Sequence, residues 1–343
     1  MTGLLATVGL YEPWYVQIVK AIILFAVGLQ AVPLVLVAER KLLGRFQGRY
    51  GPNRVGPFGA AQPLADIIKL VSKEQFRPKT SIGWLFVLAP LISIMTAVAA
   101  FAVIPFGRTQ DIFGTRVGFY GVDVSIGPLY LFAMGAVAFY GIMLGGWASG
   151  SKYSFLGSMR AAAQLISYEV SQGLALVGVI MTAQTLSLTE IVNAQKGMWY
   201  IVPQFFGFLI FLIASFAETN RAPFDLVEAD AELVGGYNTE YGGARFASYF
   251  FAEYLNVLVV SGIVTTVFLG GWLLPFGIHP PGWCDPFIVL GKMSLLVFFF
   301  IWVRATLPRL RYDQLMTLGW KILLPLATLN ALVTAIVVVA VDH

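Results

Sequence analysis

Residues 201–233 read IVPQFFGFLIFLIASFAETNRAPFDLVEADAEL, an apolar run that ends in a cluster of acids. No charged side chain occurs in 201–217, whereas four carboxylates fall within 225–232, with Glu218 before them and Glu240 after them. These six residues are a third of the chain's 18 Asp and Glu residues. Carboxylates beside lipid are costly to ionise, and neighbouring carboxylates repel each other. The segment therefore predicts a membrane protein with a site that relays protons or responds to a redox reaction.

The composition of the whole chain agrees with a membrane environment. Of 343 residues, 58% are hydrophobic and 12% are charged. A helix crosses the bilayer core in about 20 apolar residues. We therefore expect an all-α integral membrane protein whose residues 1–343 form one polytopic domain with eight transmembrane helices. The predicted spans lie near 15–38, 83–106, 126–149, 161–183, 201–217, 248–275, 286–306 and 319–341.

The distribution of Lys and Arg predicts the orientation. The loops after spans one, three, five and seven hold 17 of these residues, and the opposite loops hold three, namely Arg108, Arg116 and Lys196. Basic residues favour the cytoplasmic side, so both termini are expected outside, in the periplasm. The net charge of +4 reflects this bias and implies no nucleic-acid partner. One cysteine, Cys284, and two histidines argue against a disulfide, an iron–sulfur cluster or a metal site.

The first inner loop carries the longest ordered motif, AERKLLGRFQGRYGPNRVGP at 38–57. Its glycines and prolines predict a fixed, turn-rich path. Farther along, Leu64, Ile67, Ile68 and Val71 fall on one face of a helix, which predicts an amphipathic surface helix over 64–74. Anchoring by positive charge would account for the basic residues but not for the acids Glu39 and Asp66.

The second inner loop leads into SMRAAAQLISYE at 158–169. Glu169 falls two turns into the fourth span, and an intramembrane acid is a functional candidate. A structural ion pair is the alternative. Tyr168, Tyr241 and Tyr254 each adjoin a glutamate, so they are predicted either to donate hydrogen bonds to carboxylates or to belong to the aromatic belt at the membrane surface.

Taken in order, these motifs resemble one family over essentially the whole chain: the membrane subunit of respiratory complex I that joins the peripheral arm to the membrane arm, known as the H subunit in bacteria and as subunit 1 in mitochondria. The motifs that carry the resemblance are Glu39-Arg-Lys, Gly51-Pro-Asn-Arg-Val-Gly-Pro, Gln62-Pro-Leu-Ala-Asp66, Ser167-Tyr-Glu169, Glu218-Thr-Asn-Arg-Ala-Pro-Phe-Asp225, Glu232-Leu-Val, Glu240-Tyr, Glu253-Tyr and Pro308-Arg-Leu-Arg-Tyr-Asp313-Gln-Leu-Met.

The resemblance implies a membrane component of proton-pumping NADH:quinone oxidoreductase that is active only in the assembled complex of the bacterial inner membrane. Such a chain contains no redox centre and no catalytic residue of its own, because FMN and the iron–sulfur clusters belong to partner subunits. It lines the entrance and lower part of the tunnel for ubiquinone or menaquinone. Its partners would be the peripheral-arm subunits of the quinone site, the adjacent small membrane subunits and the lipid bilayer.

The resemblance also assigns residues by position. The residues that would line or touch the quinone cavity are Arg40, Arg49, Asp66, Arg160, Phe250, Arg304 and Arg309. The proton path would comprise Glu39, Glu169, Glu218, Arg221, Asp225, Glu228, Asp230, Glu232 and Glu253. Asp230 departs from the family pattern, in which glutamate is usual, and one methylene fewer shortens its reach. We place Glu169 and Glu218 at opposite ends of this path, and we expect Arg221 to hold the acidic loop as its nearest positive charge.

Three other classes of protein compete with this interpretation. Membrane-bound hydrogenases and formate hydrogenlyases carry a similar subunit without quinone, but the Gly-Pro-Asn-Arg-Val-Gly-Pro turn and Phe250 favour the quinone enzyme. A secondary transporter would show internal repeats with broken helices at the midplane, whereas here the acids cluster at one face. A structural anchor would not need acids where ionisation is costly.

Overall fold

In a computed structural model, the described residues are 13–112, 115–225, 235–275, 278 and 280–342. Helices dominate these ranges because long apolar runs satisfy their backbone hydrogen bonds internally. In chain order they are α1 (Trp14–Phe46), α2 (Gln62–Ser72), α3 (Gly83–Phe101), α4 (Gly127–Ala148), α5 (Lys152–Ala183), α6 (Leu188–Ala194), α7 (Phe205–Glu218), α8 (Gly243–Val267), α9 (Asp285–Thr306), α10 (Tyr312–Thr317) and α11 (Leu324–Asp342). A wide π-helical turn, Leu318–Leu323, joins α10 to α11.

Seven of these segments are long and apolar enough to cross a membrane, which confirms an all-α integral membrane protein. The seventh combines α10, the wide turn and α11. Each of the eight predicted spans overlaps a helix, but α7 has only 14 residues. At 1.5 Å per residue it is about 21 Å long, against a bilayer core of about 30 Å. A full crossing at α7, and with it the count of eight, remains a prediction.

Several helix boundaries differ from the predicted spans: α5 begins at Lys152 rather than near 161, and α3 ends at Phe101 rather than near 106. The first helix continues to Phe46 rather than ending near 38, because a helix that carries Lys41 and Arg45 can extend beyond the lipid. In contrast, α8 ends at Val267 rather than near 275. Gly270 and Gly271 follow it with φ values of +70° and +51°, a left-handed conformation that ends a helix.

The two ends of the bundle differ in structure. One end, here called the loop end, carries the long 47–61 connection and residues 219–225 and 235–242. The opposite end, the hairpin end, carries an antiparallel pair of strands, β1 (Thr109–Ile112) and β2 (Thr115–Gly118), with Thr109 paired to Gly118. The sequence did not predict this hairpin. At the same end Arg108 donates to the fully buried Asp285 at 2.8 Å.

The core lies around α8, the most buried of the long helices. It packs against α3, α9 and α1, while α5 packs against α4, α7 and α11. Close approach depends on small residues, as is usual between membrane helices. At Gly141, for example, a Cβ would lie 2.2 Å from the Ser93 hydroxyl oxygen, so α4 can lie against α3 only with glycine there.

The amphipathic surface helix is confirmed as α2. Its apolar residues Leu64, Ile67, Ile68 and Val71 are exposed on one face, as expected of a helix that lies on a membrane surface. Its other face approaches α1 and α8, so α2 is fixed to the loop end of the bundle.

Candidate functional site

Arg221 lies at the centre of a buried charge cluster at the loop end. It follows α7 and is 8% exposed. Its Nε lies 3.1 Å from a carboxylate oxygen of Glu253, and its Nη1 lies 3.8 Å from Glu39. The guanidinium carbon lies 4.2 Å from the centre of the Tyr254 ring, a cation–π distance. Glu39 also accepts a hydrogen bond from Arg304. These five residues are called the Arg221 cluster below.

Four separate elements bring the Arg221 cluster together. Glu39 lies on α1, Glu253 and Tyr254 on α8, and Arg304 in the last turn of α9. Arg221 reaches them from the turn after α7, where its backbone N–H donates to the Phe216 carbonyl at 3.2 Å. The cluster therefore ties the loop ends of three helices to this turn.

The charges of the Arg221 cluster balance, with two arginines against two glutamates. Burial alone would lower the pKa of Arg221, but attraction to Glu253, Tyr254 and Glu39 outweighs burial and holds the pKa above its ordinary value. The arginine therefore stays protonated. Removing one member of a buried pair typically costs about 3–5 kcal/mol, because it leaves the other charge without compensation.

A second group of polar residues joins α5 to α7. Gln172 donates from its side-chain nitrogen to Glu218 at 2.7 Å. Glu169, one turn before Gln172, interacts electrostatically with Glu218. The expectation that Glu169 and Glu218 stand at opposite ends of a path is wrong, because α5 and α7 pack side by side and make these two carboxylates neighbours.

A cavity of about 90 Å³ lies between the two groups. Both Glu218 and Glu253 line it, together with Gln172, Asn256 and Thr96. Most of its remaining walls come from apolar residues of α3, α4, α5, α7 and α8, and the polar residues Ser93, Thr219, Asn220, Tyr237 and Tyr249 also line it. A cavity of this size has room for water, and water bound to these side chains could connect the two carboxylates.

The first loop brings predicted cavity residues together at the surface. Arg40 donates to Asp66 at 2.6 Å, and Gln62 donates to the other Asp66 oxygen at 3.0 Å. Arg49 donates to Gln47 at 2.8 Å. The arginines flank a surface recess lined by Arg40, Leu43, Arg49, Tyr50, Gly51 and Pro52. The turn needs glycine at position 59, where φ is +74° and a Cβ would lie 2.2 Å from the Pro52 carbonyl oxygen.

The acidic loop is described only at its start. Asp225 lies 4.0 Å from Arg309, and the Leu310 backbone N–H donates to the Pro223 carbonyl at 3.0 Å. Among the described residues, the cation within ion-pair distance of Asp225 is therefore Arg309, not Arg221 as expected. Arg221 points to Glu39 and Glu253 instead. The predicted residues Glu228, Asp230 and Glu232 lie outside the described residues.

The remaining predicted residues lie nearby. Phe250 is half-buried on α8, with its ring centre 4.8 Å from that of Tyr254, so it borders the Arg221 cluster. Arg160 is half-buried on α5. Of the three tyrosines, Tyr254 lies in the Arg221 cluster, with its ring against the Arg221 guanidinium. Tyr168 and Tyr241 instead donate to the backbone carbonyls of Leu315 and Gly145.

Sequence reasoning missed three polar residues. Gln172 holds Glu218, and Gln164 donates to the Ala217 and Phe224 carbonyls at 2.7 and 2.9 Å, which fixes the turn that carries Arg221. Lys292 donates to three carbonyls inside the membrane region. The sequence signal that could have identified these residues is a lone polar or charged side chain inside a predicted membrane span.

Comparisons with known proteins identify the family of the chain. A sequence model of the family described as NADH dehydrogenase matches residues 19–335. A relative from Geobacter metallireducens, named as an H subunit of NADH-quinone oxidoreductase, is 52% identical over 320 residues, which cover 93% of this chain and 95% of the relative. The relative of the same name from Syntrophotalea carbinolica is 54% identical over 88% and 89% of the two chains, and that from Rhodospirillum rubrum is 46% identical over 97% of each. The chain therefore belongs to the NADH dehydrogenase family, among the relatives named as the H subunit of NADH-quinone oxidoreductase.

Proposed function

We propose that the chain is the membrane subunit of a proton-pumping NADH:quinone oxidoreductase and forms, with the peripheral arm, the entrance and lower part of the quinone cavity. The observation that carries the proposal is the Arg221 cluster, in which the buried Arg221, the half-buried Arg304 and two carboxylates lie beside the aromatic side chain of Phe250 at the end of the bundle that bears the surface helix. The chain's relatives are named for the same reaction.

The chemistry of the quinone explains why such a cluster is useful. Reduction of a quinone to a quinol takes up two electrons and two protons, so negative charge appears before the protons arrive. Arginines near the headgroup stabilise that charge, whereas carboxylates change their protonation in response to it. The electron carriers, FMN and iron–sulfur clusters, belong to partner subunits in this proposal, and this chain contributes binding and proton chemistry.

The acidic path of the proposal runs through the cavity between the two polar groups. A change of charge near Arg304 acts first on Glu39 and Glu253, which share Arg221. Glu253 and Glu218 line the same cavity, and Glu218 interacts in turn with Glu169. This series of carboxylates leads from the surface loop to Glu169 in the middle of α5, and from there to the membrane arm.

A photoreactive quinone tests the binding role. A quinone that carries an aryl azide on its tail, illuminated with the complete complex, is expected to label peptides that contain Arg40, Asp66 or Phe250. Mass spectrometry of this chain identifies the labelled peptides. Excess unlabelled quinone should suppress the labelling. Labelling confined to lipid-facing peptides of α11, or labelling that competitor does not reduce, would argue against a quinone cavity in this chain.

We propose further that the loop end faces the bacterial cytoplasm and that both termini lie in the periplasm. Cys284 gives a direct test, because it is the chain's only cysteine and is half-exposed at the hairpin end. A membrane-impermeant maleimide is expected to modify this chain in right-side-out vesicles and not in sealed inverted vesicles. Modification only in inverted vesicles would reverse the orientation.

A second cysteine position provides the matched control for this orientation. Ser72 is exposed at the end of α2, at the opposite end of the bundle from Cys284. In a Cys284→Ser, Ser72→Cys double variant, the reagent should modify the chain only in inverted vesicles. The pair of results distinguishes a reversed topology from a failure of the reagent to reach Cys284.

A further inference from the structure

Lys292 is an ammonium group held by backbone oxygens within the membrane region. It lies two turns into α9, a helix long and apolar enough to cross the bilayer. Its Nζ donates to the carbonyls of Leu269, Gly271 and Leu273 at 2.7, 2.8 and 2.6 Å. A lysine ammonium has three N–H donors, so all three are used.

The chain segment after α8 is folded so that these three carbonyls converge. Gly270 and Gly271 both have positive φ values, and the Gly271 N–H donates to the Thr265 carbonyl at 2.8 Å. Any side chain at position 270 would collide with Trp199, because a Cβ would lie 2.6 Å from its Nε1. This turn needs glycine at both positions, so it is a specific structure and not an irregular end of a helix.

The same place attracts cations for two further reasons. Nζ of Lys292 lies 4.3 Å from the centre of the Trp199 ring, a cation–π distance. In addition, the carbonyl end of α8 carries the negative end of the helix dipole. Backbone carbonyls around a small cation are also the ligands that replace water around potassium in selectivity filters.

We propose that Leu269, Gly271, Leu273 and the Trp199 ring form a binding site for a compact monovalent cation, and that Lys292 is its built-in occupant. The site connects the turn before α7, the turn after α8, and α9. Farther toward the loop end, these helices carry Glu218, Glu253 and Arg304. In this way a cation at the hairpin end holds in place the helices that position the charged residues at the loop end.

A cation-replacement experiment on the complete complex tests the proposal. Lys292→Ala removes the ammonium and leaves space beside the carbonyls, so the melting temperature is expected to fall by roughly 5 °C, as for the loss of a buried interaction. Ammonium, methylammonium or potassium ions should restore at least about half of that loss. Lithium and tetramethylammonium at equal ionic strength should not restore the melting temperature. Lithium is strongly hydrated, and tetramethylammonium is too large and cannot donate hydrogen bonds.

Two further variants make the result specific. Lys292→Met fills the space without a charge, so it should lose the same stability and no cation should restore it. Lys321→Ala removes an exposed lysine at the loop end and should leave the melting temperature unchanged. Three results would overturn the proposal: wild-type stability in Lys292→Met, equal recovery with every cation, or a Lys292→Ala complex that no monovalent cation stabilises or allows to assemble.

Discussion

Replacing Arg221 with methionine is expected to lower NADH:quinone activity at least about tenfold, while NADH:ferricyanide activity stays near the wild-type rate. The substitution leaves Glu39 with the half-buried Arg304 alone and removes the arginine that pairs with Glu253. A loss of 1.4 kcal/mol of transition-state stabilisation already corresponds to a factor of about ten in rate. Ferricyanide accepts electrons before they reach the quinone, so the two assays on one preparation separate the quinone end of the complex from its flavin end.

The matched control for this variant is Arg116→Met at the exposed end of the β1–β2 hairpin, where the arginine lies 3.7 Å from Asp111. An exposed ion pair contributes about 0–1 kcal/mol, so both activities should be unchanged. Arg221→Lys should retain intermediate activity, because it keeps the charge and loses the planar fork. Full quinone activity in assembled Arg221→Met enzyme would contradict the role of the cluster, and a parallel fall of both activities would assign Arg221 to assembly.

Glu218→Gln is expected to block quinone-linked turnover and proton pumping together. The carboxamide keeps the volume of the side chain and can still bond to Gln172, which lies 2.7 Å away, so the chain should assemble into the complex. It cannot ionise, and therefore it cannot pass on a change of charge between Glu253 and Glu169. Tight coupling leaves no turnover without proton movement. The measurements are NADH:quinone rate and proton uptake in sealed vesicles.

A purely structural Glu218 would give a different pattern. The variant would be recovered in lower amount, because a hydrogen bond to a charged group contributes about 1.5–3 kcal/mol and the carboxamide weakens it, and the assembled fraction would turn over normally. Glu190→Gln is the control at the hairpin end, where the carboxylate bonds to Thr185. Normal turnover with a normal proton yield per NADH in assembled Glu218→Gln enzyme would exclude Glu218 from the relay.

The sequence predicted the helices well because their signal is local. Apolar runs and the periodicity of Leu64, Ile67, Ile68 and Val71 depend only on neighbouring residues, and the corresponding helices are present. The motifs likewise identified the residues of the Arg221 cluster. Their pairing could not be predicted, because Arg304 and Glu39 are 265 positions apart and meet only through the packing of α9 against α1.

Two features of the site depend on helix packing. At the described start of the acidic loop, Arg309 approaches Asp225, while Arg221 pairs with Glu39 on α1 and Glu253 on α8. For the rest of that loop, which lies outside the described residues, the holding role of Arg221 stays a prediction. Glu169 and Glu218 were separated because they lie in different spans of the sequence. In both cases distance along the chain was a poor guide to distance in space, because helix packing decides which side chains meet.

The shortness of α7 has a consequence for depth in the bilayer. A helix of about 21 Å falls roughly 9 Å short of a hydrocarbon layer of about 30 Å, so one of its ends must stop below the headgroups. If the Gln204 end stays near the opposite surface, Glu218 and the irregular turn after it come to rest at hydrocarbon level. Non-helical backbone is tolerated in the hydrocarbon region only where other parts of the protein enclose it. Here α5 and α8 pack against α7 and enclose this turn. In that arrangement α7 is about a turn and a half shorter than a full crossing, and Glu218 lies in the low-dielectric interior of the membrane.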